Sequence, residues 1–255
     1  MQERMPVLFI GHGTPMNGIE DNEYAQNWQE IAAKIPRPEV ILCISAHWET
    51  PGTRVTAMDR PRTIHDFGGF PQALYQMEYP APGSPDLAQH VQTLIEGTSI
   101  SLDHQWGLDH GTWIVLRRMY PHADIPTFQL SLDYQKSPQE HYDLGQQLCP
   151  LREEGVLIIG SGNIVHNLGI MNPRVAAYDW ATEFDETAKH YILAGNHQAL
   201  INYPDIPHNQ LAIPTNEHYL PLLYVLGLQE EGDILSFATE SYVYGSLSMR
   251  CVLLE

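Results

Sequence analysis

Lysine is nearly missing from this chain. Only Lys34, Lys136 and Lys189 occur, and Lys+Arg reaches just 13 against 31 Asp+Glu, a formal charge of −18 over 255 residues. A surface so acidic repels phosphate backbones and anionic headgroups, which disfavours nucleic acid and membrane partners. Cysteine is also scarce. Cys43, Cys149 and Cys251 are odd in number and widely spaced, and no CxxC occurs, so neither a disulfide framework nor a thiolate zinc site is expected. Long apolar runs are absent: nothing approaches a membrane span, and Met5–Ile10 is too short for the core of a secretory leader. These features together predict a cytoplasmic protein. There is no GxSxG and no GxxxxGK[ST], and Gly160-Ser161-Gly162 lacks the GxGxxG spacing, which leaves a nucleotide site or a serine nucleophile unsupported.

What is abundant is apolar surface and histidine. Hydrophobic residues make up 43% and charged residues 17%, enough for one sizeable core. Thirteen histidines equal all lysines and arginines together, a supply suited to a metal site built from imidazole.

Short apolar runs predict strands at Met5–Ile10, Val40–Ala46, Arg54–Met58, Pro126–Leu132, Gly155–Gly160 and Ser246–Leu254. Between them the three-four spacing of Tyr24, Trp28, Ile31 and Ile35 predicts a helix over Asn22–Ile35. Further helices are expected from Pro85, with Ser84 as N-cap, over Gly111–Tyr120, and from the Ser137–Glu140 capping box to Leu148. Tyr178–Leu200 reads as helical with a break near Gly195, and His218–Leu226 as a helix with Pro221 in its first turn and Gly227 as its stop. Residues 59–71 read as a loop. Strands alternating with amphipathic helices predict one α/β domain over residues 1–255, a mostly parallel or mixed sheet with helices on both faces.

Three histidines follow the three clearest strands: His12 in IGHGTP, His47 in ISAHWE and His166 in GSGNIVHN. Ligands of open α/β sheets bind outside the strands' carboxyl ends, so these positions point to a shared site. His218, at the start of a helix, is a fourth candidate, and His65, His104 and His110 are others. Asp109 either orients His110 or caps its helix. His90, His122, His141, His190, His197 and His208 fall on polar helix faces or loops and are expected to be solvated. The segment His65-Asp66-Phe67-Gly68-Gly69-Phe70-Pro71 reads as a lid, with glycines for hinging and rings to cover a flat substrate.

The motifs GHGTPMN, SAHWE, IHDFGGFP, YPAPGSP, DHGTW, GSGNIVHNL, EHYLPLLYVLG and GSLSMR, in that order from about Val7 to the C-terminus, resemble the 4,5-DOPA extradiol dioxygenase family of class III, LigB-type ring-opening dioxygenases. The resemblance implies one non-haem divalent metal, with His12, His47, His166 and His218 in the matching positions. LigB-type enzymes more generally use two histidines and a glutamate; here His218 stands at the glutamate's position, so zinc suits the donor set as well as iron. Fe(II) is the expected ion for turnover and Zn(II) the expected ion after purification. Catecholate and O2 at one Fe(II) would fill three of about six positions and leave three for the protein. The implied roles are therefore His12, His47 and His218 as ligands, His166 as ligand or catechol base, and His110 as proton or hydrogen-bond donor to dioxygen. The implied substrates are O2 and a catechol with a short polar side chain, opened beside one hydroxyl to a semialdehyde. His65, Phe67, Phe70 and Trp113 would border the ring, and Arg60 and Arg62 would meet a carboxylate. A monomer or small homo-oligomer is expected. A zinc-binding protein on the same scaffold, without oxygen chemistry, is the competing reading. A metal-assisted hydrolase is a third and needs a carboxylate base beside zinc-bound water.

Overall fold

The computed structural model describes residues 4–255. Among them, eight strands form one mixed sheet in the order β4-β3-β5-β2-β6-β1-β10-β7. These are β1 (Val7–Gly11), β2 (Val40–Thr50), β3 (Thr53–Thr56), β4 (Ile100–Asp103), β5 (Thr127–Asp133), β6 (Val156–Gly162), β7 (Leu235–Ala238) and β10 (Cys251–Leu254). A small separate pair joins β8 (Tyr242–Val243) to β9 (Leu247–Ser248). The four central strands β5, β2, β6 and β1 run parallel. β1, β2 and β6 carry near-continuous apolar runs, as burial on both faces requires, and β5 is buried throughout although its sequence TFQLSLD alternates.

Alternation along each strand divides the core in two. Val7, Phe9, Leu42, Ile44 and Ile158 face one layer, with the helices Pro85–Leu94, Pro138–Gln147, Asp179–Leu193 and Leu220–Gly227. Leu8, Ile10, Ile41, Cys43 and Ile159 face the other, with Glu23–Lys34 and His110–Met119. Helices therefore cover both faces, as expected.

Several local expectations change. Ser84 makes no side-chain cap, although Pro85 opens its helix. The break near Gly195 holds, with φ of 63° separating Asp179–Leu193 from His197–Ile201. Gly227 lies inside its helix instead of stopping it. A Cβ there would stand 2.4 Å from the Tyr142 carbonyl oxygen, so the glycine serves helix–helix approach. The expected strand Ser246–Leu254 is split into β9 and β10. Arg250 turns inward at the break, 1% exposed, and its Nε and Nη2 donate to Asp185 Oδ2 at 2.9 and 2.6 Å.

His141 is not solvated. It sits one turn before Gly145, which packs on the backbone of Tyr224, and this shared face puts His141 at 0% exposure. Its Nδ1 lies 3.0 Å from the Tyr224 hydroxyl, and Nε2 has no hydrogen-bond partner among the described residues. Burial, which disfavours the charged ring, lowers its pKa to about 4. The unfolded chain thus takes up this proton first. The resulting stability is complete above about pH 6.5 and is lost as pH falls toward about 4, by about 3 kcal/mol at most. His141→Gln keeps a polar partner for Tyr224 but cannot titrate. Urea unfolding at pH 7 and at pH 4.5 is expected to show a smaller acid loss in this variant than in the parent. Equal losses would show that the ring does not carry the effect.

Candidate metal centre

The topology brings the histidines together. β6 lies between β1 and β2, so the carboxyl ends of three neighbouring parallel strands open onto one crevice. His12 follows β1 directly, its backbone N–H donating to the Gly162 carbonyl at 3.0 Å. His47 is not beyond its strand but inside β2, where the pairing with β5 shifts register between Ile44 and Glu49. This irregularity re-aims the side chain toward the crevice. His218 is carried in by the segment before Leu220–Gly227, its carbonyl accepting from the Asn163 backbone. The approach is close enough that a Cβ on Gly162 would lie 2.1 Å from that oxygen.

His12, His47 and His218 each offer one nitrogen within a mutual 4.8 Å. His12 and His47 are nearest, Nε2 to Nε2 at 3.1 Å. Two nitrogens each about 2.1 Å from one ion stand about 3.0 Å apart at a right angle and about 3.4 Å apart at the tetrahedral angle. The observed spacing falls between them.

Neighbouring groups set which nitrogen is free. Ser161 Oγ lies 3.0 Å from His12 Nδ1 and gives its single proton to the Gly111 carbonyl at 2.6 Å. It must therefore accept from His12 Nδ1–H, which leaves a lone pair on Nε2. Glu217 Oε1, 3.0 Å from His218 Nδ1, does the same for that ring. Asp66 grips His110 twice, at the backbone N–H and at Nδ1, both 2.8 Å. Its second oxygen also approaches His47 Nδ1 at 3.7 Å. Such outer partners fix ring orientation and tautomer. Burial, reinforced by the neighbouring imidazoles, holds His12 and His47 well below the ordinary histidine pKa, and burial likewise lowers His218. Burial opposes ionisation of Glu217, but its hydrogen bond with His218 brings its carboxyl down to about 2. The rings are thus neutral donors with aligned lone pairs, the state a divalent ion requires. The donor set fits one metal ion.

His166 lies beside this trio. Its ring stacks on His218 with centroids 3.4 Å apart, and burial followed by the charge of His218 lowers its pKa to about 2. His110 lies against His47 with ring centroids 3.8 Å apart and the planes tilted by 42°. Both line a cavity of about 660 Å³ together with Met16, Asp66, Phe67, Phe70, Leu168, Met171 and Leu247. The 65–71 segment accordingly forms one wall.

Other candidates fall outside that cavity. Trp113 is fully buried behind Phe67, its Nε1 donating to the Ile64 carbonyl. His65 Nε2 is engaged with the Met77 carbonyl at 2.9 Å, and His104 is exposed. Arg60 is exposed, and Arg62 Nε donates to the Trp106 carbonyl, so neither reaches the site. Asp109 caps the helix His110–Met119 and bonds Ser45 and Gln129, so Asp66 is the residue that orients His110. Three functional groups escaped the sequence reading: Asp66, Glu217 and Ser161 as ring-orienting acceptors. Their only signal was adjacency to motif histidines or glycines. With Asp66 and Glu217 both committed to imidazoles, no carboxylate among them is left as a hydrolytic base.

Fold and site define an α/β protein with a three-imidazole centre built for one metal ion at the carboxyl edge of a mixed sheet. The family model for the catalytic LigB subunit of aromatic ring-opening dioxygenase matches residues 6–251. The chain is 49% identical to the 4,5-DOPA dioxygenase extradiol of Escherichia coli (strain K12), over 98% of this chain and 94% of that one. It is 41% identical to the protein of the same name from Beta vulgaris, over 95% and 93%. An uncharacterized protein of Escherichia coli K12 of known crystal structure superposes with a TM-score of 0.86 at 44% identity, covering 99% of this chain and 100% of that one. The chain belongs to the LigB family of ring-opening dioxygenases and is an enzyme of that family. No helix among the described residues is long and apolar enough to cross a membrane.

Proposed function

We propose that this enzyme opens a catechol of the DOPA type beside one hydroxyl, using O2, to give a semialdehyde. The observation that carries the reading is the arrangement of lone pairs. Ser161 and Glu217 leave Nε2 of His12 and His218 free, one nitrogen of each ring clusters with one of His47, and His47 and His218 line a largely apolar cavity. His12, His47 and His218 would hold one divalent ion. Fe(II) there supplies the one-electron chemistry that lets singlet catecholate react with triplet dioxygen; Zn(II) fits the same donors but has no redox chemistry.

The chain's own groups do the rest. Phe67 and Phe70 offer flat apolar walls for the ring and exclude water beside it. His166, stacked on His218 at the cavity rim, is placed to take a hydroxyl proton as the catechol seats. His110, held by Asp66 at Nδ1, lines the same space and is placed to supply a proton or hydrogen bond to dioxygen. The names of the relatives support DOPA as the substrate type. The reading extends to one catalytic unit over residues 1–255 working in the cytoplasm, in keeping with three free cysteines.

The test is anaerobic reconstitution with Fe(II), addition of 4-methylcatechol or DOPA, and admission of air. A yellow product stoichiometric with O2 uptake is expected, and Zn(II)-loaded protein should give none. Failure of Fe(II)-loaded protein with every catechol would leave the zinc-binding reading.

A further inference from the structure

A second cavity of about 520 Å³ adjoins the first and shares Thr14, Pro173 and Tyr244 with it. Arg174 and Glu20 line this second space. Arg174 is unusual in a chain of net charge −18. Apart from Arg60, every other lysine and arginine has an oxygen partner. The Arg174 guanidinium has none among the described residues, and neither has the Glu20 carboxylate. These opposite charges line one cavity without pairing with each other. Arg60 lies outside both cavities.

The wall between the two spaces is braced. Tyr244 has φ of 54°, a conformation bulky residues rarely adopt. Backbone bonds from Asn172 N to Tyr244 O, 2.9 Å, and from Tyr178 N to Gly245 O, 3.0 Å, hold it there. The Arg174 N–H is itself fixed on Asn172 Oδ1 at 3.0 Å. Strain kept in place by several bonds is characteristic of functional walls.

We propose that Arg174 and Glu20 form a subsite for the charged end of the catechol's substituent, Arg174 binding a carboxylate and Glu20 an ammonium. The subsite rests on the catechol reading above and deepens it: the preferred substrate class is a catechol whose side chain carries an α-amino acid. A carboxylate approaching so acidic a chain needs a local cation, and Arg174 is the one left free beside the site. This replaces the expectation for Arg60 and Arg62.

Zn(II) has no redox chemistry, so equilibrium binding of catechols to Zn(II)-loaded protein isolates recognition from turnover. The ligands are 4-methylcatechol, dopamine, 3-(3,4-dihydroxyphenyl)propionate and DOPA. Arg174→Gln is expected to weaken the propionate and DOPA about tenfold. Its effect on 4-methylcatechol and dopamine should stay within about twofold. Glu20→Gln should weaken dopamine and DOPA only. On Fe(II)-loaded protein the same losses should fall on KM, not kcat. Equal weakening of all four ligands, or of none, overturns the subsite while leaving the ring-opening reading intact. A parent protein that binds no catechol overturns both.

Discussion

A His12→Ala protein is expected to retain no stoichiometric metal and to turn over catechols at less than about a thousandth of the parental rate. His12 has the strongest claim among the imidazoles. It is fully buried, its Nδ1–H is anchored on Ser161, and its Nε2 stands 3.1 Å from that of His47. Removing it deletes one of the three clustered nitrogens, and water at the gap cannot restore the neutral-nitrogen set. Metal content after dialysis against chelator-free buffer, with circular dichroism to confirm folding, is the measurement. His12→Gln, which fills more of the buried space, guards against simple misfolding. Full metal occupancy in either folded variant would remove His12 from the ligand set.

His166→Ala should behave differently. It is expected to lose about 10²- to 10⁴-fold in kcat, the usual loss for a general acid or base, while keeping its metal. The basis is geometric: His12, His47 and His218 form a mutual nitrogen cluster without His166, whose ring stacks on His218 at the cavity rim. If His166→Ala loses metal as completely as His12→Ala, then His166 is a ligand and the base lies elsewhere.

The strands that build the floor of this site were legible because they are buried on both faces. MPVLFI, VILCISA and GVLIIG read as strands without any partner in view. The two strands at the sheet's edges were not. β4, ISLD, and β7, LSFA, are short edge strands with partly exposed residues, and their composition does not separate them from loops. Helix positions were legible from periodicity, but His141 shows the limit. A polar residue reads as solvated until the partner helix that covers it, drawn close at Gly145 and Gly227, is known.

From sequence alone came the residues that the fold brings together: histidines after apolar strands, glycines beside them, and an aromatic segment long enough to form a wall. These are local properties, set by burial and spacing within a few residues. Only the tertiary structure decided what holds those histidines and what they face. Asp66 instead of adjacent Asp109 orients His110, Ser161 accepts a hydrogen bond from His12, and Trp113 falls behind the wall that Phe67 presents. Arg174, more than a hundred residues from the arginines first expected to meet a carboxylate, lines a space that shares Thr14, Pro173 and Tyr244 with the cavity of the site. The physical reason is that β6 is inserted between β1 and β2. That non-local pairing sets which side chains meet across the crevice, and no spacing along the chain records it.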